Sequence, residues 1–330
     1  MEIVVVLAAV SLATFVVVCY LLFIWWLDRY EREPFWLVVL TFIWGAVGGT
    51  CLGVLFSVIL AETVGLFVAA DIVEIVGAVV IAPLTEEFTK GLIFLPLLLT
   101  KHIDNETDGL IYGAAAGLGF AALENLIYFV NAVEDGMAAF FTIVVIRTLF
   151  TALVHCISSA ILGMSIGWVR HRSGAARWAI FPLLGFMLAV LNHAIWNALA
   201  TFSQMTGFGD AQPLFVLLGM LLVIAASFMM FLLTQLSLKR EHDFIRRYLR
   251  SEAEAGTIPM AHAEIIPYWT RRRRSDWLAP HIPKEPYIKA ATLLAFRRHQ
   301  LEIAGGERRA SYLADIAALR QEVQRLAGAR

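Results

Sequence analysis

Residues 109–133 read Gly-Leu-Ile-Tyr-Gly-Ala-Ala-Ala-Gly-Leu-Gly-Phe-Ala-Ala-Leu-Glu-Asn-Leu-Ile-Tyr-Phe-Val-Asn-Ala-Val, with Glu124 the one charged side chain. An apolar run must reach about 20 residues to cross roughly 30 Å of hydrocarbon as a helix, and this one does. Its first half is built from small residues, Gly113-Ala-Ala-Ala-Gly-Leu-Gly119. In a membrane, where hydrophobic burial does not drive helices together, small side chains let a neighbouring backbone come close. A helix made for close contact and carrying a carboxylate belongs inside a bundle.

Outward from it lie six more runs of sufficient length, at about 3–27, 35–60, 75–99, 138–168, 178–202 and 212–238. The first has no basic segment before it and leads into Asp28-Arg-Tyr-Glu-Arg-Glu-Pro34 rather than a small-residue cleavage site, so it reads as a retained span. A hydrophobic content of 59%, a charged content of 16% and a mean hydropathy of +0.73 exclude a cytosolic globular enzyme. After Leu238 the chain carries 18 of its 26 Lys and Arg but 11 of its 27 Asp and Glu, a net +7. The expected fold is all-α: a polytopic membrane helix bundle of about seven transmembrane helices over 1–238, then a helical, basic cytoplasmic tail with a Pro/Arg-rich linker over 239–330. Arg29 and Arg32, Lys101, and Arg170, Arg172 and Arg177 fall in alternate connections on the side of the tail. The positive-inside rule then places the N-terminus outside and the C-terminus in the cytoplasm. The three cysteines sit singly in apolar runs and read as packing residues.

A charge near the bilayer centre costs at least about 2.5 kcal/mol, so each one needs a partner or a role. Spans three to six carry Glu86, Glu87, Lys90, Glu124, Arg147, His155 and His193. With about 1.5 Å of rise per residue, Glu87, Glu124, His155 and His193 fall within roughly 5 Å of the midplane and can form one site. Arg147 falls roughly 9 Å toward the outside, where Glu74 is its expected support partner. In Ala82-Pro-Leu-Thr-Glu-Glu-Phe-Thr-Lys90 the ammonium lies angularly between the two carboxylates, so one can be balanced while the other stays available. Pro83 removes a backbone hydrogen bond one turn earlier, which opens the helix to water or substrate. His193 and Asn197 lie along one helix face and offer two donors to a developing oxyanion. His155 is followed one turn later by Ser159.

Imidazoles and carboxylates in a dry pocket activate water directly, as general bases, or through a bound divalent metal such as zinc. For the second route the expected ligands are Glu87, Glu124, His155 and His193. An ion-pair network that only sets helix register uses the same residue types, but convergence of four spans at one depth argues against it. Two further classes compete. A proton-coupled transporter also uses midplane charges, yet it favours inverted repeats and paired broken helices, and only one proline-interrupted acidic span is found. A non-catalytic membrane adaptor or immunity factor keeps the scaffold without turnover.

The Gly45-x-x-x-Gly49 pattern is a helix-contact motif of the kind that also mediates dimers. In the tail, Pro259, Pro267, Pro280, Pro283 and Pro286 break the chain into loops, and Tyr268-Trp-Thr-Arg-Arg-Arg-Arg-Ser-Asp-Trp277 reads as a contact for anionic lipid heads. No nucleic-acid-binding motif accompanies it. From Ala310, Leu313, Ile316, Val323 and Leu326 form an amphipathic end segment.

Glu86-Glu87-x-x-Lys90, Phe120-x-x-x-Glu124, His155 and His193-x-x-x-Asn197, in this order, resemble the PrsW family of bacterial intramembrane proteases, relatives of the CAAX prenyl proteases and bacteriocin-immunity-type membrane proteins. The resemblance covers roughly 25–200, including Asp28-Arg-Tyr-Glu31 and Asp108-Gly-Leu-Ile-Tyr-Gly113. In the CAAX branch the first motif ends in Arg after three intervening residues and the second in His, so Lys90 and Glu124 match the PrsW side. The resemblance implies a bacterial inner-membrane endopeptidase, of glutamic or metalloprotease type, that cleaves a membrane-anchored protein such as an anti-sigma factor. It further implies that Glu86 helps activate water and that His193 with Asn197 stabilises the oxyanion.

Overall fold

The computed structural model describes residues 2–205, 211–274, 276–304 and 306–328, and among these there is helix but no strand. Among the described residues six helices are long and apolar enough to cross a membrane: span one up to Leu27, span two at Phe35–Gly65, span four at Glu106–Ala132, span five at Met137–Val169, span six at Ala175–Gln204 and span seven at Gln212–Glu254. The expected third span is a continuous helical run over 70–91 followed by the short helix Phe94–Leu97. Asp71, Glu74, Glu86, Glu87 and Lys90 make it too charged to stand out by apolarity.

Its far end lies beside two other connections. The connection beyond it meets the one between spans one and two, where His102 Nδ1 is 3.7 Å from Glu33 Oε2 and the Tyr112 hydroxyl donates to the same carboxylate. Arg170, at the end of span five, donates to the Thr100 carbonyl at 3.1 Å. Three alternate connections of the seven expected spans therefore lie together.

Span four is the axis of the bundle, and its backbone is enclosed from Thr107 to Ala121. Asn105 caps it: its side chain accepts from the Thr107 and Asp108 amides at 2.6 and 3.1 Å, while Asp108 returns a bond from the Asn105 amide at 3.0 Å. This reciprocal box satisfies donors that a helix start leaves open. A β-carbon on Gly113 or Gly117 would lie 2.2 Å from the carbonyl oxygen of Ser159 or His155. Only glycine permits that approach, and it sets the height of His155 and Ser159 against span four. Gly45 is used in the same way within the chain, against the Ala116 carbonyl, which gives the Gly45-x-x-x-Gly49 pattern an intramolecular role.

Three spans contain a wide turn with π-type bonding, at Trp44–Gly49, Gly77–Ile81 and Arg147–Thr151. Such turns insert a residue and rotate the helix beyond them. The turn at Gly77–Ile81 accommodates Pro83: the Ala82 amide bonds back to the Gly77 carbonyl, and Pro83, having no N–H, leaves the next carbonyl, Ala78, without a backbone donor.

The second compact unit comprises Leu233–Arg330 together with the connections Asp28–Arg32 and His171–Arg177. Its apolar core includes Ile245, Leu249, Tyr287, Leu294, Ile316 and Val323. Buried Glu252 accepts from Arg320 at 2.7 and 2.8 Å, from Thr257 at 2.8 Å and from Arg298. The tail is thus a folded helical unit, and its prolines begin helices as well as break the chain: Pro259 and Pro283 precede Met260–Ile265 and Lys284–Ile303. In the end segment Ile316 and Val323 are buried while Leu313 faces outward. Of the four consecutive arginines, Arg272 is buried, donates to the Arg29 carbonyl and lies 5.2 Å from the Tyr30 ring. It is a strut within this unit, which leaves Arg271, Arg273 and Arg274 exposed.

Candidate active site

Spans three, four, five and six bring Glu86, Glu87, Lys90, Glu124, His155 and His193 into one cluster. Lys90 Nζ is 2.6 Å from Glu87 Oε1 and 3.9 Å from Glu86 Oε2. It also donates to His155 Nδ1 at 3.0 Å and lies 4.3 Å from the centre of the Phe120 ring. Glu87 is saturated: besides Lys90 it accepts from His193 Nδ1 at 2.9 Å and from the Ser159 hydroxyl at 2.9 Å. Its side chain has no accessible surface.

Glu86 is different in kind. Its Oε2 lies 3.8 Å from His193 Nε2 and 3.9 Å from His155 Nδ1, and that oxygen, though buried, makes no hydrogen bond. Its side chain keeps 13% exposure, against 0% for Lys90 and Glu87 and at most 2% for the two histidines. Of the pair on span three, Glu86 is the carboxylate that a water or peptide can reach.

Glu124 Oε2 meets Arg147 Nη2 at 2.6 Å and His155 Nε2 at 2.8 Å, both close ion-pair contacts rather than aligned hydrogen bonds. Arg147 therefore serves Glu124 and not the expected Glu74, which is exposed. A guanidinium on a long stem reaches down to a buried carboxylate, whereas a pair near the interface would gain little in contact with water. Sequence reasoning missed Asn125 and Tyr128, which hold Arg147; the available signal was their position, adjacent to Glu124 and one turn beyond it.

Asn197 is one turn along span six from His193, yet its amide donates to the Ala78 carbonyl at 2.9 Å. This is the carbonyl released by Pro83. The proline is buried, so its effect is to tie span three to span six rather than to open the helix. One N–H of the Asn197 amide remains for another acceptor.

Glu86, His155 and His193 each offer one donor atom, all within 4.8 Å of one another. Two imidazoles and a carboxylate are a donor set that catalytic zinc uses, and the buried Glu86 oxygen that accepts no hydrogen bond is the kind of atom an ion satisfies. The residues fit a divalent ion provided Lys90 gives up His155 Nδ1, whose one lone pair cannot serve both. This set differs from the expected one in its carboxylate: Glu87 is already saturated by Lys90, Ser159 and His193, and Glu124 by Arg147 and His155, which leaves Glu86.

Residues 33–231 match the model of a family described as PrsW family intramembrane metalloprotease. Among curated proteins, the chain is 29% identical over 177 residues to Protease PrsW of Oceanobacillus iheyensis, covering 53% of this chain and 75% of that one. It is 27% identical over 183 residues to Protease PrsW of Geobacillus kaustophilus, covering 55% and 74%. To that of Bacillus subtilis it is 26% identical over 166 residues, covering 48% and 67%. No solved structure matches the chain.

Proposed function

The chain belongs to the PrsW family and is a multi-pass, membrane-embedded protease, and from that premise we propose that it hydrolyses a peptide bond in a membrane-anchored protein, such as an anti-sigma factor, with Glu86 as the group that activates water. One observation carries this reading: four spans deliver their charged residues to one buried cluster in which, among the described residues, Glu86 Oε2 is the buried carboxylate oxygen without a hydrogen bond or a close ion-pair contact. Glu86 takes a proton from water as the oxygen attacks the peptide carbon, and returns it to the departing amine nitrogen. Glu87 and Lys90 are the paired charges that hold the cluster together. The free N–H of Asn197 donates to the oxyanion. His193 joins it only as an imidazolium, because its neutral form donates through Nδ1 to Glu87 and presents a lone pair at Nε2. Were a divalent ion held by Glu86, His155 and His193, it would supply the Lewis acidity toward water and the carbonyl, with Glu86 as its ligand in place of the base.

The test of the function is a quantitative membrane proteomic comparison of cells expressing the wild type with cells expressing Glu86→Gln at equal levels. A single-span protein should accumulate at full length in the variant and appear as fragments in the wild type. If no fragment depends on Glu86, the protease assignment of this site is wrong. For the metal, the full chain purified in detergent should carry a divalent ion by elemental analysis, and His193→Gln should lose it. An enzyme free of metal and indifferent to chelators would leave water activation to Glu86 alone.

The proposed setting is the bacterial inner membrane with the N-terminus outside, a topology favoured by the basic connections and tail. Exposed Arg271, Arg273 and Arg274 beside Tyr268 and Trp269 are the proposed contact for anionic lipid. Native mass spectrometry should find phosphatidylglycerol retained over phosphatidylcholine, with the preference lost when all three arginines become Gln. Equal retention by that variant would remove this contact.

A further inference from the structure

We propose that Asn125, Tyr128 and Arg147 are positioning residues, a clamp that holds Glu124 against the Nε2 edge of the His155 ring. The proposal deepens the proteolytic reading of the same site and rests on it for the meaning of the clamp, although the geometry stands by itself.

Asn125 and Arg147 are joined twice. Arg147 Nε donates to Asn125 Oδ1 at 3.0 Å, and Asn125 Nδ2 donates to the Arg147 backbone carbonyl at 3.3 Å. The guanidinium lies 3.6 Å from the centre of the Tyr128 ring. The guanidinium is therefore held against the ring on one face and by the amide on one edge, and its Nη2 lies 2.6 Å from Glu124 Oε2. The same carboxylate oxygen faces His155 Nε2 at 2.8 Å. A planar fork can stack, bind an amide and bind a carboxylate at once; the ammonium of a lysine cannot.

On the opposite edge of the His155 ring sits Lys90, 3.0 Å from Nδ1. An ammonium has donors and no acceptor, so Nδ1 must be the accepting nitrogen, and a neutral ring then carries its proton on Nε2, toward Glu124. A carboxylate behind an imidazole fixes its tautomer and orientation in many active sites. Here the carboxylate is itself fixed by the arginine clamp. His193 is held in the opposite tautomer, with its Nδ1–H donated to Glu87 at 2.9 Å. The two rings, 4.6 Å apart between centroids, thus present unlike nitrogens to the space beside Glu86.

The test is nitrogen NMR of the full-length protein in detergent, labelled with 15N-histidine, with the two rings assigned by their disappearance in His155→Gln and His193→Gln. The wild type should show His155 protonated on Nε2 and His193 on Nδ1. Arg147→Lys, which keeps the charge, and Asn125→Ala, which keeps the arginine, should each shift the His155 Nε2–H signal and speed its exchange as Glu124 leaves that edge of the ring, while Lys90 keeps Nδ1 accepting and His193 stays in place. Thr142→Ala, an exposed position on the same span, should change neither ring. If His155 keeps its pattern in both clamp variants, the clamp is only structural and the proposal is overturned, whatever happens to the melting temperature. In cells, cleavage of the fragment-yielding protein should fall about 10–100-fold in Arg147→Lys, as when a ligand's supporting partner is removed. The ring signals do not depend on turnover, so a failure of the protease reading, seen as fragments indifferent to Glu86, is distinguishable from a failure of the clamp.

Discussion

Replacing Glu86 by Gln is expected to lower turnover by about 10^2 to 10^4-fold, the usual contribution of a positioned general base, while the protein stays inserted and folded. Gln is the same shape, and the oxygen it replaces at Oε2 accepts no hydrogen bond. The nearest cation, Lys90 Nζ, is 3.9 Å away and keeps its contact with Glu87 at 2.6 Å. Little native energy is therefore removed, and the detergent-solubilised variant should melt within about 4 °C of the wild type. The measurement is fragment production per cell at matched expression, paired with a thermal denaturation curve. A fully active Glu86→Gln protein would end the assignment of Glu86 as base.

Glu87→Gln is expected to fail in another way. Glu87 is the counter-charge of a buried lysine and the acceptor for Ser159 and His193. Removing its charge leaves an ammonium uncompensated in the bundle, a loss of about 3–5 kcal/mol when one member of a buried pair is deleted. The melting temperature should fall by about 6–20 °C, and turnover should fall with it. Activity alone does not separate the two glutamates; stability does. Equal melting curves for the two variants would contradict the division of labour between reachable and saturated carboxylate.

Much of the fold was legible because a bilayer sets the length of any helix that crosses it, so residues 109–133 and their apolar neighbours could be counted as spans. Span three was counted with them at about 75–99, although its charges keep it from standing out by hydropathy. The charged members of the site were legible for the complementary reason that Glu86, Glu87, Lys90, Glu124, His155 and His193 are costly in hydrocarbon and must be explained. The pairing among them was not. Wide turns at Gly77–Ile81 and Arg147–Thr151 shift the helical phase just before Glu86 and His155, so a uniform rotation of about 100° per residue does not predict which side chains meet.

The sequence alone determined that this protein is a membrane bundle with ionisable groups from four spans near one depth, because hydrophobic length and the cost of buried charge are properties of residues in order. Tertiary structure decided that Glu87 is saturated while Glu86 is reachable, that Arg147 serves Glu124, and that Asn197 bonds to the carbonyl left by Pro83. Those assignments depend on distances of a few ångströms between helices, set by where glycines let backbones touch and where a wide turn rotates a face, and neither is a property of any one helix.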